Sequence, residues 1–188
     1  TSAVALVRAQ DASKAVLARL MSRALKTKLE VSRVEDKGAQ KLVYLDSAPI
    51  FEVAYGIAER RREGEETSGD SRSILCPSRS RRLFAICDGM GSGEAASKAS
   101  RDAVNMIEGF YRAGFDDNII LSLVNKLLKL SLDDSFTTLD ISVIDTRTGG
   151  LDVIKLGSAS SFIVRKDNVE ALSCTLPPAG ILDAIQPL

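Results

Sequence analysis

Leu83-Phe84-Ala85-Ile86-Cys87-Asp88-Gly89-Met90-Gly91-Ser92-Gly93-Glu94 is the stretch on which the architecture turns. Leu83 to Cys87 is a continuous apolar run, as expected of a strand buried on both faces. Asp88 stops the run, and the glycines at 89, 91 and 93 open a loop. The residues after them are spaced as a helix over 94–111, with Ala96, Ala99, Ala103, Met106, Ile107 and Phe110 on one side. Gly114 suits the left-handed residue that closes a helix. Asp116-Asp117 offers a cap for a second helix over 118–131, whose inward side is Ile120, Leu123, Val124, Leu127 and Leu128.

Outward from this centre the pattern returns to strands. Before it, strands are expected at 29–34, 40–45, 51–57 and 71–75. After it, they are expected at 137–145, 151–156, 160–165 and 169–173, with turns at Thr148-Gly149-Gly150 and Lys166-Asp167-Asn168. Strands, two adjacent helices, then strands is not the alternation of a doubly wound sheet. It suits an α+β fold, a four-layer α-β-β-α sandwich of two antiparallel sheets flanked by helices. Residues 1–29 are rich in Ala and Leu and contain neither Gly nor Pro. They are read as an N-terminal linker or regulatory helix ahead of a domain over 30–188.

The 188 residues correspond to about 1.25 domains at ~150 residues each. Hydrophobic residues make up 45% and charged residues 27%, a balance that excludes a mainly disordered chain. Lys and Arg total 25 and so do Asp and Glu, which argues against a nucleic-acid partner on bulk charge. The chain has no histidine, so imidazole bases and His-ligated metals are excluded. Cys76, Cys87 and Cys174 are odd in number and show no CxxC spacing, which fits a reducing compartment. No apolar run approaches the ~18 residues of a membrane span. The chain opens on Thr1 with no signal-peptide pattern and reads as a piece of a longer protein.

Two acidic residues stand out by context. Asp70, in Ser68-Gly69-Asp70-Ser71, lies where a charged loop meets a strand, and Asp88 lies at a strand end before glycine. Each reads either as a turn cap or as a ligand of a hard cation. Carboxylate, carbonyl and water oxygens are what Mg²⁺ or Mn²⁺ prefer, and the Gly89 carbonyl is a further donor. The loop Gly89-x-Gly91-x-Gly93 also admits a nucleotide-binding reading, with helix amides cradling a phosphate. Against it, a second helix follows where a βαβ unit needs a strand. Arg60, Arg61 and Arg62 read either as a solvated loop or as contacts to a phosphate.

Ser68-Gly69-Asp70-Ser71 followed by Asp88-Gly89-Met90-Gly91-Ser92-Gly93 resembles the metal-dependent, type 2C serine/threonine phosphatases of bacteria. Val53-Ala54-Tyr55-Gly56-Ile57-Ala58, Phe136-Thr137-Thr138-Leu139-Asp140 and Ile154-Lys155-Leu156-Gly157-Ser158-Ala159-Ser160-Ser161-Phe162-Ile163 extend the likeness to residues 51–182. The resemblance implies the four-layer sandwich and two Mn²⁺ or Mg²⁺ ions held by Asp70, Asp88 and Gly89. Asp70 and Asp88 would thereby be the catalytic residues. It further implies a phosphoserine protein as substrate, an anti-sigma-factor antagonist in sporulation or stress signalling. The family's further Asp-Gly-x-x-Asp segment is not matched, since Asp183-Ala184 departs from it. The sandwich is accordingly expected to be C-terminally truncated, with an incomplete metal site; Asp140 is a candidate substitute carboxylate, but the strand alternation around it favours a structural role. The competing reading is a phosphatase-fold regulatory or binding module without turnover. A homodimer through the helices and a cytoplasmic setting, beneath a membrane-anchored parent, complete the expectations.

Overall fold

The computed structural model describes residues 2–8, 13–60, 67–91, 93–130 and 136–181. They form two compact units. One comprises residues 1–52 with 146–149, the other residues 53–145 with 150–188.

The first unit is a three-stranded antiparallel sheet with one helix. Its elements are β1 (Ser2–Arg8), α1 (Lys14–Ala24), β2 (Leu29–Lys37) and β3 (Gln40–Ser47), in the sheet order β1-β3-β2. Gly38, at φ +73°, turns β2 into β3, and its N–H donates to Asp36 Oδ1 at 3.0 Å. Leu29, Val43 and Leu45 form the core, packed by Ala3, Ala5 and Val7 of β1 and by Leu17, Ala18 and Met21 of α1. Here the expectation of one helix over residues 1–29 is corrected. Ser2–Arg8 is a strand, the helix is Lys14–Ala24, and β2 begins at Leu29. Ala and Leu favour helix in isolation, but residues 3, 5 and 7 also alternate into the core while β3 satisfies the backbone from Ser2↔Asp46 to Arg8↔Gln40. Ladder pairing and burial outweigh helix propensity, a weak prior. The boundary expected at 29/30 falls within the start of β2, inside this unit.

The second unit carries a four-stranded antiparallel sheet, β4 (Asp70–Ser78), β5 (Arg81–Asp88), β6 (Leu139–Asp145) and β7 (Gly150–Leu156), in sequential order. Helices α2 (Gly93–Arg112) and α3 (Asp117–Lys129) join β5 to β6, and β8 (Ser161–Val164) pairs antiparallel with β9 (Val169–Leu172). The α+β class with antiparallel sheets is as expected. The helical layer and the four-stranded sheet are two of the expected layers, and β8–β9 is a separate two-stranded sheet.

The period-two alternation of β5 decides which face the helices cover. Leu83, Ala85 and Cys87 point into a core built with Ala103, Ile107 and Tyr111 of α2, Ile120, Val124 and Leu128 of α3, and Leu139, Ile141 and Val143 of β6. Phe84, Ile86 and Asp88 point the other way. The helix ends follow the sequence closely. Gly114 takes φ +79°, and Asp116 is the residue before α3, although its side chain makes no capping bond. The strand expected over 51–57 does not form, because no neighbouring strand pairs with it among the described residues. Its Tyr55 ring instead packs edge-on against Phe84 at 5.7 Å.

Ile107 is fully buried between the sheet and α3, whereas Leu130 is 76% exposed. Truncating Ile107 to alanine is expected to destabilise the second unit by about 2–5 kcal/mol. Leu130→Ala should stay within about 0.5 kcal/mol of the wild type. Chemical denaturation of the two variants measures the difference.

Candidate metal centre at the end of β4 and β5

Asp70 is the first residue of β4 and Asp88 the last of β5, and antiparallel register makes them direct partners. Directly opposed residues place their side chains on one face with Cβ atoms ~4.5–5.5 Å apart. Two carboxylates are thereby held together at the open end of the sheet. Both residues are exposed, so a ligand can reach them. Asp88 is held above the ordinary carboxylate range, chiefly by partial burial, then by the charge of Asp70 and a hydrogen bond to it. Like charges this close favour a shared proton or a cation between them.

The backbone around Asp88 is fixed from three directions. Its N–H donates to Thr138 Oγ1 at 3.0 Å. Its carbonyl accepts from the Thr138 N–H at 2.8 Å and from Thr137 Oγ1 at 2.9 Å. The next peptide is held too: Gly89 N–H donates to the Gly69 carbonyl at 3.0 Å, and Met90 N–H to that of Phe136 at 2.9 Å. On the partner strand, Asp70 N–H donates to Ser68 Oγ at 3.2 Å. The loops 68–70 and 136–138 therefore flank residues 88–90 on both sides.

The glycines of the loop serve two distinct needs. Gly89 is buried, and a Cβ there would stand 1.9 Å from the Ala96 carbonyl oxygen in the first turns of α2. Gly91 and Gly93 take φ +101° and +68°, which side-chain-bearing residues rarely adopt. The donor set these elements present, two carboxylates and the backbone oxygen of Gly89, is hard and anionic and fits Mg²⁺ or Mn²⁺. Among the described residues no group of three or more acidic or sulfur side chains gathers to hold a metal.

Other residues singled out in the sequence fall as follows. Asp140, on β6, is engaged rather than open. Lys155 Nζ lies 2.5 Å from its Oδ2, and Ser161 Oγ donates to the same oxygen at 2.6 Å. Arg60 lines a groove of about 360 Å³ beside Asp70, together with Tyr55, Glu59, Arg72 and Phe84. Arg61, Arg62 and Asp183 lie outside the described residues. The dinucleotide form of the glycine loop is ruled out by topology, since β5 and β6 are antiparallel neighbours and no parallel crossover exists among the described residues. The threonine pair went unassigned in the sequence. Its signal was its place in Phe136-Thr137-Thr138-Leu139-Asp140, a segment of the family resemblance just after the helices, which carries no role for the hydroxyls.

Cys87, next to Asp88, points into the core. Burial, with the charge of Asp140 second, pushes its thiol up to about 12. A thiol in that state supplies no thiolate near neutral pH, so Cys87 is no nucleophile.

Comparison with known proteins gives the chain its relatives. The family model for stage II sporulation protein E (SpoIIE) matches residues 78–187. Stage II sporulation protein E of Bacillus subtilis (strain 168) is 32% identical over 142 residues, 75% of this chain and 17% of that protein. Its counterpart in Priestia megaterium is 31% identical over 137 residues, 72% of this chain and 23% of that protein. The chain thus spans about a fifth of the length of these relatives. Among solved structures, the PP2C phosphatase domain of B. subtilis SpoIIE with a fragment of its regulatory domain matches at TM-score 0.72 and 27% identity. That match covers 96% of this chain and 54% of the other. RsbX in complex with magnesium shares the fold at TM-score 0.56 and 20% identity, over 79% of this chain and 66% of the other.

Asp88 titrates above its unfolded value, so the folded state binds the extra proton between the two. Stability is therefore expected to fall as pH rises through the window above ~3.9, the ordinary Asp value. Asp88→Asn should flatten that slope in urea denaturation series run without metal. Cysteine labelling gives a second check. Cys76 is exposed and should react with a maleimide near neutral pH, while Cys87 should react only on unfolding.

Proposed function

Because the chain belongs to the stage II sporulation protein E family and carries a PP2C-type phosphatase fold, we propose that it is a metal-dependent phosphatase domain. Its substrate in this reading is phosphoserine on a protein, an anti-sigma-factor antagonist in sporulation or stress signalling. The observation that carries the reading is the pairing of Asp70 with Asp88 beside the buried Gly89. In it, Asp70, Asp88 and the Gly89 carbonyl hold Mn²⁺ or Mg²⁺. Bound metal would lower the pKa of a water, screen phosphate charge and orient an in-line displacement.

The chain's own residues orient and hold. The β4–β5 register fixes the spacing of the two carboxylates. Thr137 and Thr138 fix the backbone of Asp88, and the Gly69–Gly89 hydrogen bond ties the two loops together. Arg60 and Arg72, beside Asp70 in the groove, supply positive charge toward an anionic substrate, with Glu59 paired to Arg72.

A second reading, a phosphatase-fold binding module without turnover, is favoured by one observation. Among the described residues the carboxylates number two at this end, not a cluster of three. Homodimerisation through the helices belongs with either reading. It is supported by Ile119, Leu127 and Leu130, which α3 and its C-terminal cap leave exposed. No helix of the described residues is long and apolar enough to cross a membrane. Family membership supports a cytoplasmic setting, beneath a membrane-anchored parent.

Phosphate release from a phosphoserine protein in the presence of Mn²⁺ separates the two readings. The measurement is made on this chain and on the longest form of the protein that can be produced. The phosphatase reading expects metal-dependent turnover that falls about a hundredfold or more in Asp88→Asn. Metal-dependent substrate binding with no turnover in any form would establish the binding module instead.

A further inference from the structure

α3 carries an anomaly on its buried side. Ile120, Val124 and Leu128 are the residues expected against a sheet, yet Asn125 among them is only 1% exposed. Burying an amide is costly unless it is hydrogen-bonded, and an aliphatic residue of similar volume would carry no such penalty. The partner of Asn125 Oδ1 is the N–H of Gly180, at 2.9 Å. Gly180 itself takes φ +95°.

The residue before it completes a path. Ala179 is fully buried and exchanges two backbone hydrogen bonds with Thr137: Ala179 N–H to the Thr137 carbonyl at 2.9 Å, and Thr137 N–H to the Ala179 carbonyl at 3.3 Å. Thr137 is also fully buried, pairs with Gly89 on its other side, and directs its hydroxyl to the Asp88 carbonyl. The path from α3 to Asp88 thus runs through the buried Asn125–Gly180 bond, the 179–180 backbone and the bonds of buried Thr137, and ends on the part-buried carbonyl of Asp88; bonds shielded from water are strong and their loss is costly.

We propose that Asn125 and Thr137 are positioning residues for the metal centre. Asn125 holds the 179–180 backbone, that backbone holds Thr137, and the Thr137 hydroxyl sets the peptide between Asp88 and Gly89. Neither residue touches the metal or the substrate. The Asp88–Gly89 peptide matters because it joins a carboxylate ligand to the residue that offers a backbone oxygen. A small rotation of it misdirects both donors together. The inference rests on Asp70 and Asp88 being metal ligands, so its test reads the peptide directly as well as the metal.

The experiment uses the whole chain and Mn²⁺ alone. Amide exchange is followed by mass spectrometry or NMR, and Mn²⁺ binding by the electron paramagnetic signal of the free ion. In the metal-free protein, Thr137→Val and Asn125→Leu are expected to speed exchange at Asp88 and Gly89. Thr137→Ser, which keeps the hydroxyl, should restore it. The same two variants should weaken Mn²⁺ binding about five- to tenfold while Thr137→Ser does not. In the wild type, coupling is reciprocal, so Mn²⁺ should slow exchange at Ala179 and Gly180. That measurement needs no variant and stands even if Asn125→Leu fails to fold. Unchanged exchange at Ala179 and Gly180 on metal binding, with protection confined to residues 88–90, overturns the proposal. So do folded Val and Leu variants with wild-type exchange at Asp88 and Gly89. Asp88→Asn reports separately on the metal reading: if it binds Mn²⁺ like the wild type, that reading fails, whatever the metal-free exchange shows.

Discussion

The structure of the site depends on one constraint, the antiparallel register that sets Asp70 opposite Asp88. Two anionic groups on one face repel each other, and a sheet would not bring them together for stability alone. The fold holds the pair in place with backbone bonds on both sides. Loops 68–70 and 136–138 clamp residues 88–90, so the carboxylates stay near each other while their oxygens remain exposed to a ligand. Carboxylates held near each other in this way suit a divalent cation between them.

How the helices rest on the sheet differs from strand to strand. On β5 and β6 the contact is aliphatic, through Leu83, Ala85, Ile141 and Val143. Between α2 and β4 it is polar: Ser71 and Ser100 hydroxyls lie 2.8 Å apart, and Ser73 donates to Glu108 at 2.5 Å. The inner face of β4 is therefore held by directional bonds, and its apolar contribution comes from Leu75, which packs against the core. Among the described residues β4 is also the edge of its sheet, with β5 as its ladder partner. One of the two site carboxylates begins the strand that is held this way.

Much of this was legible in the sequence, for identifiable reasons. Strong periodicity placed α2 and α3 to within a few residues. The run Leu83–Cys87 marked β5, but burial on both faces does not hold: Leu83, Ala85 and Cys87 are in the core, while Ile86 on the other face is 57% exposed. Asp-Gly-Met-Gly-x-Gly revealed the family because three glycines answer to constraints no other residue meets: a backbone contact at Gly89 and left-handed dihedrals at Gly91 and Gly93. What the sequence hid was decided by partners distant along the chain. Ser2–Arg8 is a strand because β3 lies beside it, and residues 51–57 are not one because no strand among the described residues pairs with them. Thr137 and Asn125 look ordinary until their bonds to Asp88 and Gly180 are seen.

The close approach of Gly89 to α2 has a consequence for how this region can vary. The atom in the way of a side chain at position 89 is a carbonyl oxygen of residue 96, not its methyl group. No exchange of the Ala96 side chain can make room, because every amino acid keeps that oxygen. Accommodation has to come from the helix as a body, sliding or tilting away from the loop. The fastenings that resist such a slide are the Ser71–Ser100 and Ser73–Glu108 bonds. Compensating changes for a damaged position 89 would therefore be sought along that serine-lined seam, up to a helix length from the glycine they rescue.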